Sequence, residues 1–493
     1  VRPGQNLLLG VLCCLILVGC TETRHDGLRF GLAAMPVTLD PRYATDAASS
    51  RINRLIYDRL VDFDDSLTPV PALASWQRLS PRHYRFTLER AAKFSNGAAL
   101  TMADVQATYT SILDPKQASP HRMSLSNIRS LDVVDSRVMD VLLEKPDLLF
   151  PGRLSIGILP AQLIAGAHTF NTRPVGSGAF EFVEWPDEGH LLLKRKRDGL
   201  RLAFIAVKDP TVRVLKLVRG EIDMLQNDLP PELIDYLDKQ PGIHIQRAAG
   251  SKFAYLGFNL DDPVSGNPAL RRAIAIGIDR AAIIDHVLGG AARPATSLLP
   301  PDHWAGNPNL EAPRYDPERA RAILTEAGLT GAHRPELVYK TSNDPFRLRI
   351  ATILQQQLAR IGIDVTLRSY DWGTFYGDIK AGRFQMYSLM WVGIKLPDIF
   401  RYVFHSEAIP PDGANRGRYR SAEVDRLIER AERAGTLAEA VNTYRALQSR
   451  IMQDLPYVPL WYEDNVFVRR DTVMGYRIAM DGNFDGLKQV KSQ

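Results

Sequence analysis

Cysteine is nearly missing from this chain of 493 residues, and the 3 it has, Cys13, Cys14 and Cys20, all fall at or before position 20. The remainder therefore holds no disulfide and no thiolate metal cluster, and core burial has to hold it together. Charge of one sign is also scarce. Against 61 Lys and Arg stand 56 Asp and Glu, a net charge of +5 spread along the chain, which argues against nucleic acid as a partner. There is no Walker loop, no GxGxxG, no HExxH and no GxSxG, and the 10 histidines are scattered. No cofactor and no metal is expected. Internal repeats and low-complexity tracts are absent as well.

What is present starts with Arg2 and an apolar run, Leu7 to Gly19, too short to span a bilayer as a helix and suited to the central region of a secretory signal. "LVGC", Leu17 to Cys20, sets small Gly19 before a cysteine and resembles the bacterial lipobox, whose cysteine is diacylated and becomes the first mature residue. The expectation is a signal peptide over 1–19, a lipidated tether over 20–26 carried by Cys20, and a mature chain held at the bacterial cell envelope, facing periplasm or exterior. The 45% of hydrophobic and 24% of charged residues suit two or three globular domains.

Strand and helix signals alternate, which favours α/β domains. "HYRFTLER" places Tyr84, Phe86 and Leu88 on one face of a half-buried strand. A helix should follow, capped by Thr101 with Asp104 at its third position and stopped at Asp114 and Pro115. Asn267 with Pro268, Asp316 with Pro317 and Asp344 with Pro345 each read as a cap followed by proline at the first helical position. The last of these helices carries Ile350, Leu354 and Leu358 on one stripe, ends at Gly362 and passes into the strand "IDVTL". Thr436 and Glu439 form a capping box before a final helix closed by Pro456. Three further stretches have specific readings. "KRKRDGLR" at Lys194 to Arg201 reads as a solvated hairpin edge. "VGSGAF" reads as a tight turn at Gly176 and Gly178, with Ser177 lacking any nearby base. "DGNFDG", Asp481 to Gly486, begins like a calcium loop but has Ser492 where glutamate belongs, and reads as a solvated turn.

The order of "LDPRYATDAASSRINRLIYDRLVDFD", "YRFTLERAAKFSNGAALTMADVQATY", "PVGSGAFEFVEW", "LRRAIAIGIDRAAIIDHVLGGAA" and "YDPERARAILTEAGL" resembles the family five extracellular solute-binding proteins of bacterial ABC importers, the oligopeptide-, dipeptide- and nickel-binding group. The likeness continues through "LQQQLARIGIDVTL" and "RYRSAEVDRLIERA". It implies an α/β, two-lobed clamp of the type II, cluster C periplasmic-binding-protein kind. By similarity, residues 27–46, 171–254 and 466–493 form a discontinuous first domain, 47–170 an inserted second, and 255–465 the other lobe. The crossing strands would lie near Tyr255 to Leu260 and Pro459 to Val468. A peptide or peptide-like solute would be captured between the lobes and handed to a membrane permease served by separate ATPase subunits, the binding protein itself being monomeric and no enzyme.

In peptide-binding members the stretch matching "WVGIKLPDIF" carries an aspartate that pairs with the peptide ammonium. Here Trp391 and Gly393 match, Ile394 stands in that aspartate's place, and Asp398 follows Pro397. An ammonium left unpaired in a closed cleft is costly, so a free α-amino group is poorly served. Trp391 offers a surface for planar or apolar groups, while Lys395 and Arg401 offer donors to carboxylate or phosphate. By position in the family's cleft-bordering blocks, Tyr43, Tyr255, Asn259, Trp372 and Asn415 join the candidate lining. Opines, sugars, glutathione-like compounds and metal chelates stay open as alternative ligands. A solute-dependent regulator would need a DNA-binding module where the signal and tether lie, and an envelope hydrolase would need a catalytic constellation absent from the sequence.

Overall fold

The computed structural model describes residues 27–492; Cys20 and the expected signal and tether lie outside them. Two long strands, Ile243–Phe258 and Tyr457–Arg470, run antiparallel through the centre of an 11-stranded mixed sheet. On one side the sheet continues through Met224–Gln226, Leu28–Leu32, Arg201–Ala206 and His190–Arg195 to the edge strand Phe180–Asp187. On the other it continues through Met386–Trp391 and Glu336–Ser342 to Asp364–Tyr370. The central ladder loses register between Ala248 and Lys252, so the same two strands serve one lobe before the break and the other after it. Among the described residues no helix is long and apolar enough to cross a membrane.

Each body has its own core. The antiparallel sheet Ala74–Ser80, His83–Leu88, Val138–Leu143 and Ile128–Val133 packs against the helix Met102–Leu113 through Phe86, Met139, Val105 and Tyr109. In the second lobe the strand residues alternate between two cores: Ala254, Leu256 and Phe258 enter one, Phe253 and Tyr255 the other. Both faces are covered by helices, so the strand reads as a continuous apolar run with no alternation.

The caps fall where the sequence puts them. The Thr101 N–H donates to Asp104 at 2.8 Å, and Asn267, Asp316 and Asp344 each accept from backbone N–H groups of the helix they precede. At Leu437–Asp454 the Thr436 hydroxyl accepts from the Glu439 N–H at 3.3 Å, but the Glu439 carboxylate reaches one residue further back, to the Gly435 N–H at 3.0 Å.

Two local readings need correction. "KRKRDGLR" does form a hairpin, yet His190–Arg195 is an interior strand, and Arg195 is 2% exposed. Its guanidinium pairs with Asp198 and donates to the carbonyls of Leu487 and Val490, pinning the C-terminal segment. Gly176 and Gly178 are needed for close approach and not for a turn. A Cβ on Gly176 would sit 2.1 Å from the Ile56 carbonyl oxygen, and one on Gly178 would sit 2.6 Å from that of Leu55. Gly176→Ala is therefore expected to cost about 1–3 kcal/mol, the usual range for overpacking, seen as a lower melting midpoint by calorimetry. Ser177→Ala, which removes only a 3.4 Å hydrogen bond from the Asp58 N–H, should cost less than about 1 kcal/mol.

Candidate functional site

A cavity of about 810 Å³ opens between the lobes, within the ~300–1,000 Å³ usual for small-molecule sites. One wall comes from the helix Ala47–Ile56 and the residues flanking it, from His121 and Ser124, from 152–157, and from Asp481 and Asn483. The facing wall is the run Val392 to Ile399. That run leaves the strand Met386–Trp391 through Gly393, whose φ of 75° suits glycine, and ends in the helix Ile399–Phe404. The apolar surface is supplied by Phe63, Ile156, Ile394, Leu396 and Ile399.

Charge on the walls is paired as it would have to be in a closing cleft. Lys395 meets Asp481 at 3.1 Å across the cleft and lies 5.0 Å from the Phe63 ring centroid. Arg153 joins Asp147 at 2.8 Å to Asp398 of the other lobe at 2.6 Å. Behind them Arg54 is shared by Asp62 and Asp485, and Arg59 also holds Asp62. Burial works to raise the Asp481 carboxyl, but Lys395 and Arg54 hold it below the usual carboxylate range. Burial likewise opposes ionisation of Asp62, and Arg59 and Arg54 keep it far below that range. The Lys395 ammonium is pushed down by burial, with Arg54 adding to the effect. The lobes also touch where the Trp304 backbone N–H donates to the Ser66 carbonyl at 3.2 Å and the Arg78 side chain donates to that of Gly435 at 2.9 Å.

Of the sequence-derived candidates, Ile394, Lys395 and Asp398 lie on the cavity wall. The others lie off it, each for a visible reason. Tyr43 donates to the Gln117 carbonyl at 3.0 Å. Tyr255 is fully buried, stacked on Tyr457 at 4.0 Å. Asn259 caps a turn by accepting from the Asp261 N–H at 3.2 Å. Trp372 is 58% exposed and stacks on Tyr376. Trp391 has the Arg416 guanidinium 4.9 Å over its ring. Arg401 forms a two-point ion pair with Glu432 at 2.7 and 2.8 Å. Asn415 is buried, donating to the carbonyls of His405 and Tyr419.

Sequence reasoning missed the arginines. Arg51 and Arg54 stand three apart on one helix, a spacing that shares a face, and with Arg59 they were visible in "SSRINRLIYDR". It also misjudged "DGNFDG", which is a buried wall element: the Asp481 side chain is 7% exposed, and Asp481 accepts from the Asn483 N–H at 3.0 Å. Among the described residues no group of His, Cys, Asp and Glu side chains is arranged to hold a metal ion.

His303 supports the cleft loop from behind. Its Nδ1 accepts from the Ala305 N–H at 3.0 Å, which leaves Nε2 to donate to the Lys395 carbonyl, also at 3.0 Å. Burial pushes its pKa down to about 4 from an ordinary 6.5. The folded protein refuses a proton that the unfolded chain accepts below about pH 6.5, so this stabilisation is present above that pH and is lost as pH falls towards 4. The loss amounts to about 3 kcal/mol at 1.36 kcal/mol per pKa unit. Melting curves across pH 7 to 4 should fall more steeply for the unaltered protein than for His303→Gln.

Residues 67–408 match the family described as bacterial extracellular solute-binding proteins, family 5 Middle. The chain is 27% identical over 503 residues to di/tripeptide-binding protein 2 of Pseudomonas aeruginosa (strain UCBPP-PA14), covering 94% of this chain and 92% of that one. It is also 27% identical over 489 residues to heme-binding protein A of Haemophilus influenzae, covering 90% and 88%. The crystal structure of the ABC transporter substrate binding protein CtaP from Listeria monocytogenes superposes with a TM-score of 0.85 at 24% identity, covering 95% of this chain and 99% of that one, a likeness of fold. This chain, a two-lobed α/β clamp, belongs to the bacterial extracellular solute-binding proteins, family 5.

Proposed function

We propose that the chain is the solute-capturing component of an ABC-type importer, closing on a short peptide or peptide-like solute and presenting the closed form to a membrane permease. The observation that carries this is the cavity walled from both lobes, because a ligand favours closure only through contacts it makes better in the closed form. The relative named as a di/tripeptide-binding protein supports a peptide ligand. The division into 27–46 with 171–254 and 466–493, then 47–170, then 255–465 is the working domain scheme. The separate apolar core formed within 60–158 supports the insertion, although the helix Ala47–Ile56 packs Ile52, Leu55 and Ile56 on the first-domain core. The protein acts as a monomer, and no bond is made or broken by it.

A second reading, the same clamp taking a non-peptide solute, is favoured by one feature. Both wall carboxylates, Asp398 and Asp481, are already committed to Arg153 and Lys395, and Ile394 is apolar. The relative named as heme-binding protein A supports a non-peptide solute. Screening di- and tripeptides, opines, sugars, glutathione and metal chelates by thermal shift separates the two. At about 100 times Kd a true ligand adds roughly 2.7 kcal/mol of stability and raises the midpoint by a few degrees. Small-angle scattering should report compaction when the ligand binds, and binding with no change in radius of gyration would argue against closure. For peptides, N-acetylation should leave affinity unchanged or better, and Ile394→Asp should shift preference to the free amine. A strong preference of the unaltered protein for free amines would show that another carboxylate serves them.

Anchoring through a diacylated Cys20 completes the proposal. The unaltered protein should fractionate with membranes and partition into detergent, whereas Cys20→Ala should be released or misprocessed. Recovery of the unaltered protein in unlipidated, freely soluble form would refute the anchor.

A further inference from the structure

One cation and one carboxamide on the cavity wall, Arg51 and Asn53, are unspent among the described residues. The other four lysine and arginine side chains there, Arg54, Arg59, Arg153 and Lys395, each hold a carboxylate. Arg51 has no ion pair and no side-chain hydrogen bond among the described residues; its guanidinium lies over the ring of Phe484, 5.4 Å from the centroid. A cation held over a ring is attracted by the ring's quadrupole without a hydrogen-bond acceptor, so the guanidinium N–H donors remain available for one. Asn53, on the same helix and the same wall, is 5% exposed, and neither its Nδ2 nor its Oδ1 has a hydrogen-bond partner. A buried carboxamide with both ends unpaired is expensive to leave unmet.

We propose that Arg51 and Asn53 together anchor the acidic end of the solute: the Arg51 guanidinium takes a carboxylate, and the Asn53 carboxamide takes the backbone of the preceding residue, accepting from that residue's N–H and donating to its C=O, which point to the same side of an extended chain. This deepens the capture reading above and rests on it. Since the remaining wall charges neutralise one another, the solute accommodated best carries one net negative charge and no free ammonium. An α-amido carboxylate, the C-terminal end of an N-blocked peptide, has this chemistry.

The test is calorimetry with matched N-acetyl tripeptides bearing either a C-terminal acid or a C-terminal amide, on the full mature protein. The unaltered protein should bind the acid on the order of tenfold or more tighter than the amide, as a charge-assisted contact implies. Arg51→Gln should bring the acid down to the amide's affinity while leaving the amide unchanged within about twofold. Arg51→Lys should restore part of the difference, and Asn53→Ala should weaken acid and amide alike. Unchanged melting midpoints of the ligand-free Arg51 variants keep the comparison free of folding defects. Equal binding of acid and amide by the unaltered protein, or equal losses for both in Arg51→Gln, overturns the anchor while leaving peptide capture standing. Failure of every peptide, free or blocked, overturns the peptide reading as well and leaves the clamp to a non-peptide solute.

Discussion

Lys395 and Asp481 meet across the cleft at 3.1 Å, and the constraint this pair expresses governs the whole site. Two lobes that shut on a solute take charged walls out of water, and a charge stripped of water must find a partner or be neutralised. Arg153 with Asp398 repeats the solution a short way along, and Asp62 and Asp485 ground the arginines behind. Such pairs add little net stability, since desolvation offsets most of their attraction. Their geometry does specify how the lobes register, because loss of one member strands the other in a poorly hydrated wall.

The scaffold exists to bring those walls into opposition. The strands Ile243–Phe258 and Tyr457–Arg470 belong to both lobes, and the lost register at 248–252 divides one lobe's ladder from the other's. Hinges of this kind concentrate the torsional change in a few residues while each lobe moves as a packed body. The loop Val392 to Asp398 is delivered to the cleft because the strand Met386–Trp391 pairs directly with one of the crossing strands, and His303 holds the loop's backbone from behind. A run that mixes apolar residues with a lysine and an aspartate is thus neither core strand nor surface loop. Ile394 is 7% exposed and packs among second-lobe residues, while its charged neighbours reach over to the opposite lobe.

Much of the secondary structure was legible because its causes are local. Asp344 caps the helix it precedes, and Thr101 with Asp104 does the same for Met102–Leu113, through bonds spanning three residues. The errors share the opposite cause. Arg195 looked like a solvated edge residue because nothing nearby announces the carbonyls of Leu487 and Val490 some 290 positions away. Gly176 looked like a turn because the Ile56 carbonyl it approaches is remote in sequence. Tyr255 and Asn415 sit in blocks that border the cleft, yet their side chains turn into the second lobe, a choice made by packing.

The sequence by itself determined the α/β class, the helix caps, the order of segments that marks the family, and the apolar replacement at Ile394, since each is written in neighbouring residues or in their linear order. Only the tertiary structure decided which charges are spent and which are free. The wall is assembled from segments near 41–63, 121–124, 152–157, 392–399 and 481–483, and electrostatic pairing depends on distance in space. Arg54 and Arg51 are equivalent cations three positions apart on one helix; Asp485, from the far end of the chain, claims the first and leaves the second facing the cavity.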